Sequence, residues 1–146
     1  MERTICIWYP TWALRRPEVS DDQPAQAVDA ANKVVACNEV AAREGIAVGM
    51  QRRAAEAICP TVLTIVTDDT ADMVRFEPIV ETIEAIVPRV EIAAPGCVFV
   101  PISGAVRYYG GEGPLVERIV KELSRFGGDH RLGSQQVLLL RTRQPG

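Results

Sequence analysis

Short apolar runs rich in β-branched residues alternate along the chain with stretches whose apolar positions recur at the helical period. Thr4-Ile5-Cys6-Ile7-Trp8-Tyr9 opens the series and predicts a strand over residues 3–9, ended by Pro10, which cannot donate to a ladder. The proline-bounded, acidic residues 17–24 predict a surface loop. Residues 25–29 and 33–37 read as the arms of a hairpin, with Asn32 best suited to the left-handed conformation of its turn. Asn38 is the expected N-cap of a short helix through Glu44, and Gly45 its stop. A second short helix is expected over 51–58, ended by Cys59-Pro60, followed by a strand over 61–66.

Asp68-Asp69-Thr70 then offers caps and negative charge to a longer helix on which Met73, Phe76, Ile79, Val80, Ile83 and Ile86 share a face. Pro78 should kink this helix and Pro88 end it. Strands are expected over 89–93 and 98–102 around a turn at 94–97. A loop follows over 108–114, then a helix over 114–126 and a last strand over 137–140. This order of elements predicts an α+β chain. A ferredoxin-like sheet with helices on one face is expected from residues 1–14 and 67–146, with a small lobe inserted at 15–66.

With 47% hydrophobic and 24% charged residues, the 146-residue chain can bury a core and is not a disordered segment. A net charge of −3 argues against a dominant electrostatic footprint for nucleic acid. Arg15-Arg16 and Arg52-Arg53 are the local basic pairs available to phosphates. Cys6, Cys37, Cys59 and Cys97 stand singly, without CxxC spacing, and the one histidine is His130. They read as separate reduced thiols with no metal site and no disulfide framework. No run is long and apolar enough to span a bilayer and the start is not a signal peptide, so a cytoplasmic protein is expected.

Cys37-Asn38-Glu39-Val40-Ala41-Ala42-Arg43-Glu44-Gly45-Ile46-Ala47-Val48-Gly49-Met50, with Ala54-Ala55-Glu56-Ala57 and Cys59-Pro60, resembles the finger segment of Y-family translesion DNA polymerases. The resemblance implies that the inserted lobe is a finger and the larger part a palm. Active members place one metal-binding acid on the first palm strand and an Asp-Glu pair at the later hairpin. In that register this chain carries Trp8, Gly96 and Cys97. An indole only donates, glycine has no side chain, and a thiol is too soft to prefer magnesium. The triphosphate grip falls on Glu39 and Ala42, and the aromatic sugar gate on Ala13. A carboxylate repels a triphosphate, and alanine cannot clamp one.

Together with Val34-Val35-Ala36-Cys37, Phe76-Glu77-Pro78-Ile79-Val80 and Ala105-Val106-Arg107-Tyr108-Tyr109-Gly110-Gly111-Glu112, this pattern is similar to the ImuB-like, catalytically inactive branch. That branch implies an accessory role in damage-induced mutagenesis without catalytic cofactors. Its expected partners are a sliding clamp, a RecA-like protein and a replicative-type error-prone polymerase, with DNA binding weak or absent. Residues 134–143 no longer follow the family, and the chain reads as an N-terminal part or truncated form. Two other readings stay open: an atypical magnesium-dependent nucleotidyltransferase, with Asp21, Asp22, Asp29 or Glu91 as substitute acids, and a generic protein-interaction module.

Overall fold

A computed structural model describes residues 2–126 and 136–142. In chain order its elements are β1 (Glu2–Trp8), a 3-10 turn (Trp12–Leu14), β2 (Ala25–Val28), β3 (Val34–Cys37), α1 (Glu39–Arg43), α2 (Arg52–Ile58), β4 (Leu63–Val66) and α3 (Asp69–Glu84). β5 (Glu91–Ala94), β6 (Cys97–Pro101), α4 (Ser103–Tyr109), α5 (Glu112–Leu123), a second 3-10 turn (Ser124–Phe126) and β7 (Gln136–Thr142) complete it. The chain divides into two units, Met1–Pro10 with Met73–Gly146, and Thr11–Asp72.

The first unit holds a sheet in the order β5-β6-β1-β7, with every neighbouring pair antiparallel. A first strand set between the last two, with the second at the edge, is the ferredoxin-like arrangement expected of β-α-β-β-α-β connectivity. Strand alternation decides which side chains enter the core. Ile5, Ile7 and Tyr9 are buried, as are Val98 and Val100 on β6, while Cys6, Trp8, Cys97 and Phe99 between them are half-buried on the opposite face. Phe76, Ile79, Ile83, Leu115, Ile119 and Leu123 bring the buried faces of α3 and α5 to this core. The Tyr9 ring meets Phe76 edge-on at 6.3 Å. Truncating a buried aromatic such as Phe76 to alanine costs about 3–5 kcal/mol.

α3 runs through Pro78, whose missing N–H leaves one turn of the ladder without its bond. Four residues on, the Thr82 hydroxyl donates to the Pro78 carbonyl at 2.8 Å. The expected loop at 108–114 is corrected: residues 103–109 are helical, and α5 begins at Glu112. Gly110 and Gly111, at φ 83° and 134°, make the break between the two helices. Pro114 falls in the first turn of α5, where no intrahelical N–H is needed, so the helix starts ahead of it.

The second unit holds a sheet in the order β3-β2-β4. β2 and β3 form the hairpin, with Asn32 at φ 61° in its turn, and β4 joins β2 in parallel. Asn38 caps α1 as its sequence suggests: its Oδ1 accepts from the backbone N–H of Ala41 and of Ala25, both at 3.0 Å. Gly45 ends that helix at φ 107°. Val28, Val34, Ala41, Ile46, Ala55 and Cys59 form a core, with Leu14, Val19, Ala25, Ala27 and Ile65 in another cluster. No described helix is long and apolar enough to cross a membrane.

Candidate functional site

The two places where the family resemblance expects metal-binding acids meet at one end of β1 and β6, the two inner strands of the antiparallel sheet. Trp8, the last residue of β1, pairs directly with Cys97, the first residue of β6. The Tyr9 N–H donates to the Gly96 carbonyl at 2.8 Å, so the pairing extends into the turn. Pro95-Gly96 joins β5 to β6, with Gly96 at φ 88°, as a two-residue turn that needs a left-handed second position. Trp8, Gly96 and Cys97 are therefore neighbours in space, although 88 positions separate Trp8 from Gly96 in the chain.

The side chains at that end are apolar or soft. Cys6 lies two residues before Trp8 on the same face, and its Sγ is 3.9 Å from the Cys97 Sγ. Burial, and then the facing Cys97, push the Cys6 thiol up to about 11. This contact corrects the reading of four separate thiols: Cys6 and Cys97 form a pair, Cys59 is buried, and Cys37 donates to the Ile46 carbonyl at 3.7 Å. Burial raises Cys37 as well. The sequence carries a signal for the pair: period-two alternation puts Cys6 on the face of Trp8, and a hairpin turn at Pro95-Gly96 brings Cys97 alongside.

Hard divalent cations take anionic oxygen ligands, and a two-metal centre needs several of them. Two thiols, an indole and a glycine do not fit that requirement. Among the described residues no three His, Cys, Asp or Glu side chains gather as a metal site. Glu91, on β5 opposite Phe99, is exposed and paired with Arg89 at 2.8 Å. Asp29 accepts from the N–H groups of Ala31 and Lys33 and holds the hairpin turn, while Asp22 accepts from the Ser20 hydroxyl.

In the second unit, Glu39 and Ala42 lie on α1, both exposed, with Glu39 in an i,i+4 pair with Arg43 at 3.5 Å. Ala13 is half-buried in the first 3-10 turn, beside a Trp12 that is buried and donates Nε1–H to the Asp72 carbonyl at 2.9 Å. Arg16 donates to the Asp72 carboxylate at 3.1 Å and to the Ala13 carbonyl at 3.1 Å. Asp72, in the first turn of α3, is a partner with no local signal in the sequence. Arg15 is half-buried. Arg52 pairs with Glu56 at 2.5 Å, and exposed Arg53 joins them on an open cavity of about 790 Å³ that Asn32 and Gln51 also line.

Comparison with protein families gives a match over residues 11–128 to the IMS family, impB/mucB/samB. Comparison with curated proteins gives no match. Among solved structures the chain is similar to DinB from Sulfolobus solfataricus, with a TM-score of 0.76 at 13% identity over 97% of this chain and 42% of that one. It is likewise similar to a Y-family DNA polymerase chimera of Dbh and Dpo4, with a TM-score of 0.71 at 12% identity over 97% of this chain and 43% of that one. These likenesses are of fold, and the chain spans less than half the length of either structure.

Proposed function

Because the chain belongs to the impB/mucB/samB family, we propose that it serves translesion synthesis as a polymerase-like accessory protein that does not itself transfer nucleotides. The single observation that supports this reading is the Trp8–Cys97 pair at the end of the two inner strands. Nucleotidyl transfer by two metals requires carboxylates that hold both ions and the attacking and leaving oxygens. At the positions where the family resemblance expects those acids, β1 and the Pro95-Gly96 hairpin carry none.

The role left to such a chain is scaffolding: presenting a polymerase-like surface to a sliding clamp, to a RecA-like accessory protein and to the polymerase that extends past the lesion. Its electrostatics suit protein partners better than a long DNA track. The chain is net negative, and Arg16 and Arg52 are engaged by Asp72 and Glu56.

A primer-extension assay with magnesium and all four deoxynucleotides tests the reading. The expected result is no extension above a heat-treated control. Extension that a chelator abolishes would overturn it and favour an atypical nucleotidyltransferase. Pull-down with purified clamp and polymerase tests the scaffold itself; recovery of neither would leave only a generic interaction module.

A further inference from the structure

The strand end that lacks hard ligands holds a concentrated pair of soft ones. Cys6 and Cys97 are sulfur neighbours on the half-buried face of β1 and β6, 3.9 Å apart and 91 positions apart in sequence. Trp8 is the register partner of Cys97, and Phe99 and Leu138 are the register partners of Cys6 on either side. The thiols therefore sit in an apolar frame on a face that solvent still reaches.

The separation can be weighed against what each use of two thiols demands. A disulfide requires the sulfurs to close to about 2.05 Å. With metal–sulfur bonds of about 2.3 Å, a tetrahedral edge spans roughly 3.8 Å and a straight sulfur–metal–sulfur line roughly 4.6 Å. The observed 3.9 Å is the contact of a thiol–thiol hydrogen bond, and a two-coordinate ion asks the sulfurs to part by about 0.7 Å, a change that side-chain rotation supplies with the strands in place. Ligand number then selects the ion. A closed zinc site takes four protein ligands, and among the described residues no third His, Cys, Asp or Glu side chain completes one here. A monovalent d10 cation is satisfied by two thiolates, and soft sulfur ligands select copper(I).

We propose that Cys6 and Cys97 form a two-thiolate binding site for copper(I) on the half-buried face of β1 and β6. Binding is a proton-for-metal exchange: two S–H bonds break, two S–Cu bonds form, two protons leave to water, and no electron is transferred. Trp8, the register partner of Cys97, supplies an apolar neighbour to the site. The proposal goes beyond the accessory role and does not depend on it, because copper retention and primer extension are read separately.

The test is anaerobic titration of the reduced chain with copper(I) against a chromogenic copper(I) chelator, followed by tryptophan fluorescence and copper X-ray absorption. One copper(I) per chain, held against the chelator with a two-sulfur shell and quenching of Trp8, is the expected result. Cys6→Ser and Cys97→Ser should each abolish retention, while the Cys37→Ser/Cys59→Ser double variant retains it. Should Cys6→Ser fail to fold, Cys97→Ser at the strand end and the sulfur count in the unsubstituted chain decide the question. No retained copper, retention indifferent to Cys97→Ser, a shell of other than two sulfurs, or retention of zinc in preference to copper(I) would each overturn the proposal.

Discussion

Arg16 donates to the Asp72 carboxylate at 3.1 Å, with the two side chains only 17% and 4% exposed. The pair ties the start of the Thr11–Asp72 unit to its end, and the Ala13 carbonyl takes a further bond from the same guanidinium. Removing one member of a buried pair leaves the other charge without its partner. Asp72→Ala should therefore destabilise the chain by about 3 kcal/mol, whereas Glu56→Ala, which breaks the half-exposed pair with Arg52, should cost under about 1 kcal/mol. Urea unfolding of both variants gives the comparison.

Gly96 adopts φ 88° in the turn between β5 and β6. A side chain there meets backbone strain, so Gly96→Ala should destabilise the protein by about 1–2 kcal/mol. Gly104, in the first turn of α4, has open space around an added Cβ and no positive φ, and Gly104→Ala should be neutral or stabilising by up to about 0.5 kcal/mol. Thermal unfolding of the two variants checks both statements.

The thiols predict an alkaline limit. Cys6 is raised from 9.0 to about 11 by burial and by Cys97, and Cys37 is raised by burial. Because the folded chain holds these protons more tightly than the unfolded one, their contribution to stability is complete below pH 9 and is lost as pH rises toward 11. Unfolding free energy of the metal-free protein should fall across that window, and Cys6→Ser/Cys37→Ser should flatten the fall. Denaturant midpoints measured between pH 8 and pH 11 provide the readout.

Asn38 joins three segments: its Oδ1 accepts from Ala25 and Ala41, and its Nδ2 donates to the Gln23 carbonyl at 2.6 Å. Asn38→Ala should cost about 1–2 kcal/mol, and Asn38→Asp, which keeps the acceptor but sets an oxygen in place of the donor to the Gln23 carbonyl, should recover only part of it. Amide exchange at Ala41 should accelerate in the alanine variant and stay slow in the aspartate one.

Local chemistry made much of the fold legible. Asn32, Asn38, Gly45 and the Pro95-Gly96 turn act through their own backbone preferences, and each stands where those preferences suggest. Alternation along β1 likewise separates Ile5 and Ile7 from Cys6 and Trp8. What escaped depends on partners distant in sequence. The parallel pairing of β2 with β4, and the bond between Arg16 and Asp72 across 56 positions, have no local signature. α4 escaped because seven residues containing Gly104 show neither a cap nor a full helical period. At the candidate site, the family resemblance points to Trp8 and Cys97, but the contact of Cys6 with Cys97 depends on strand pairing across 91 positions and has no CxxC spacing to mark it.

The central position of β1 also governs how its sheet can assemble. Both of its neighbours come from far along the chain, with Cys97 standing 91 residues beyond Cys6. During synthesis this apolar ribbon must therefore wait, both edges bare, while about ninety further residues are made. A nascent chain paused before β6 exists is the species most prone to clump with its own kind, and slowing translation there should increase its dependence on chaperones.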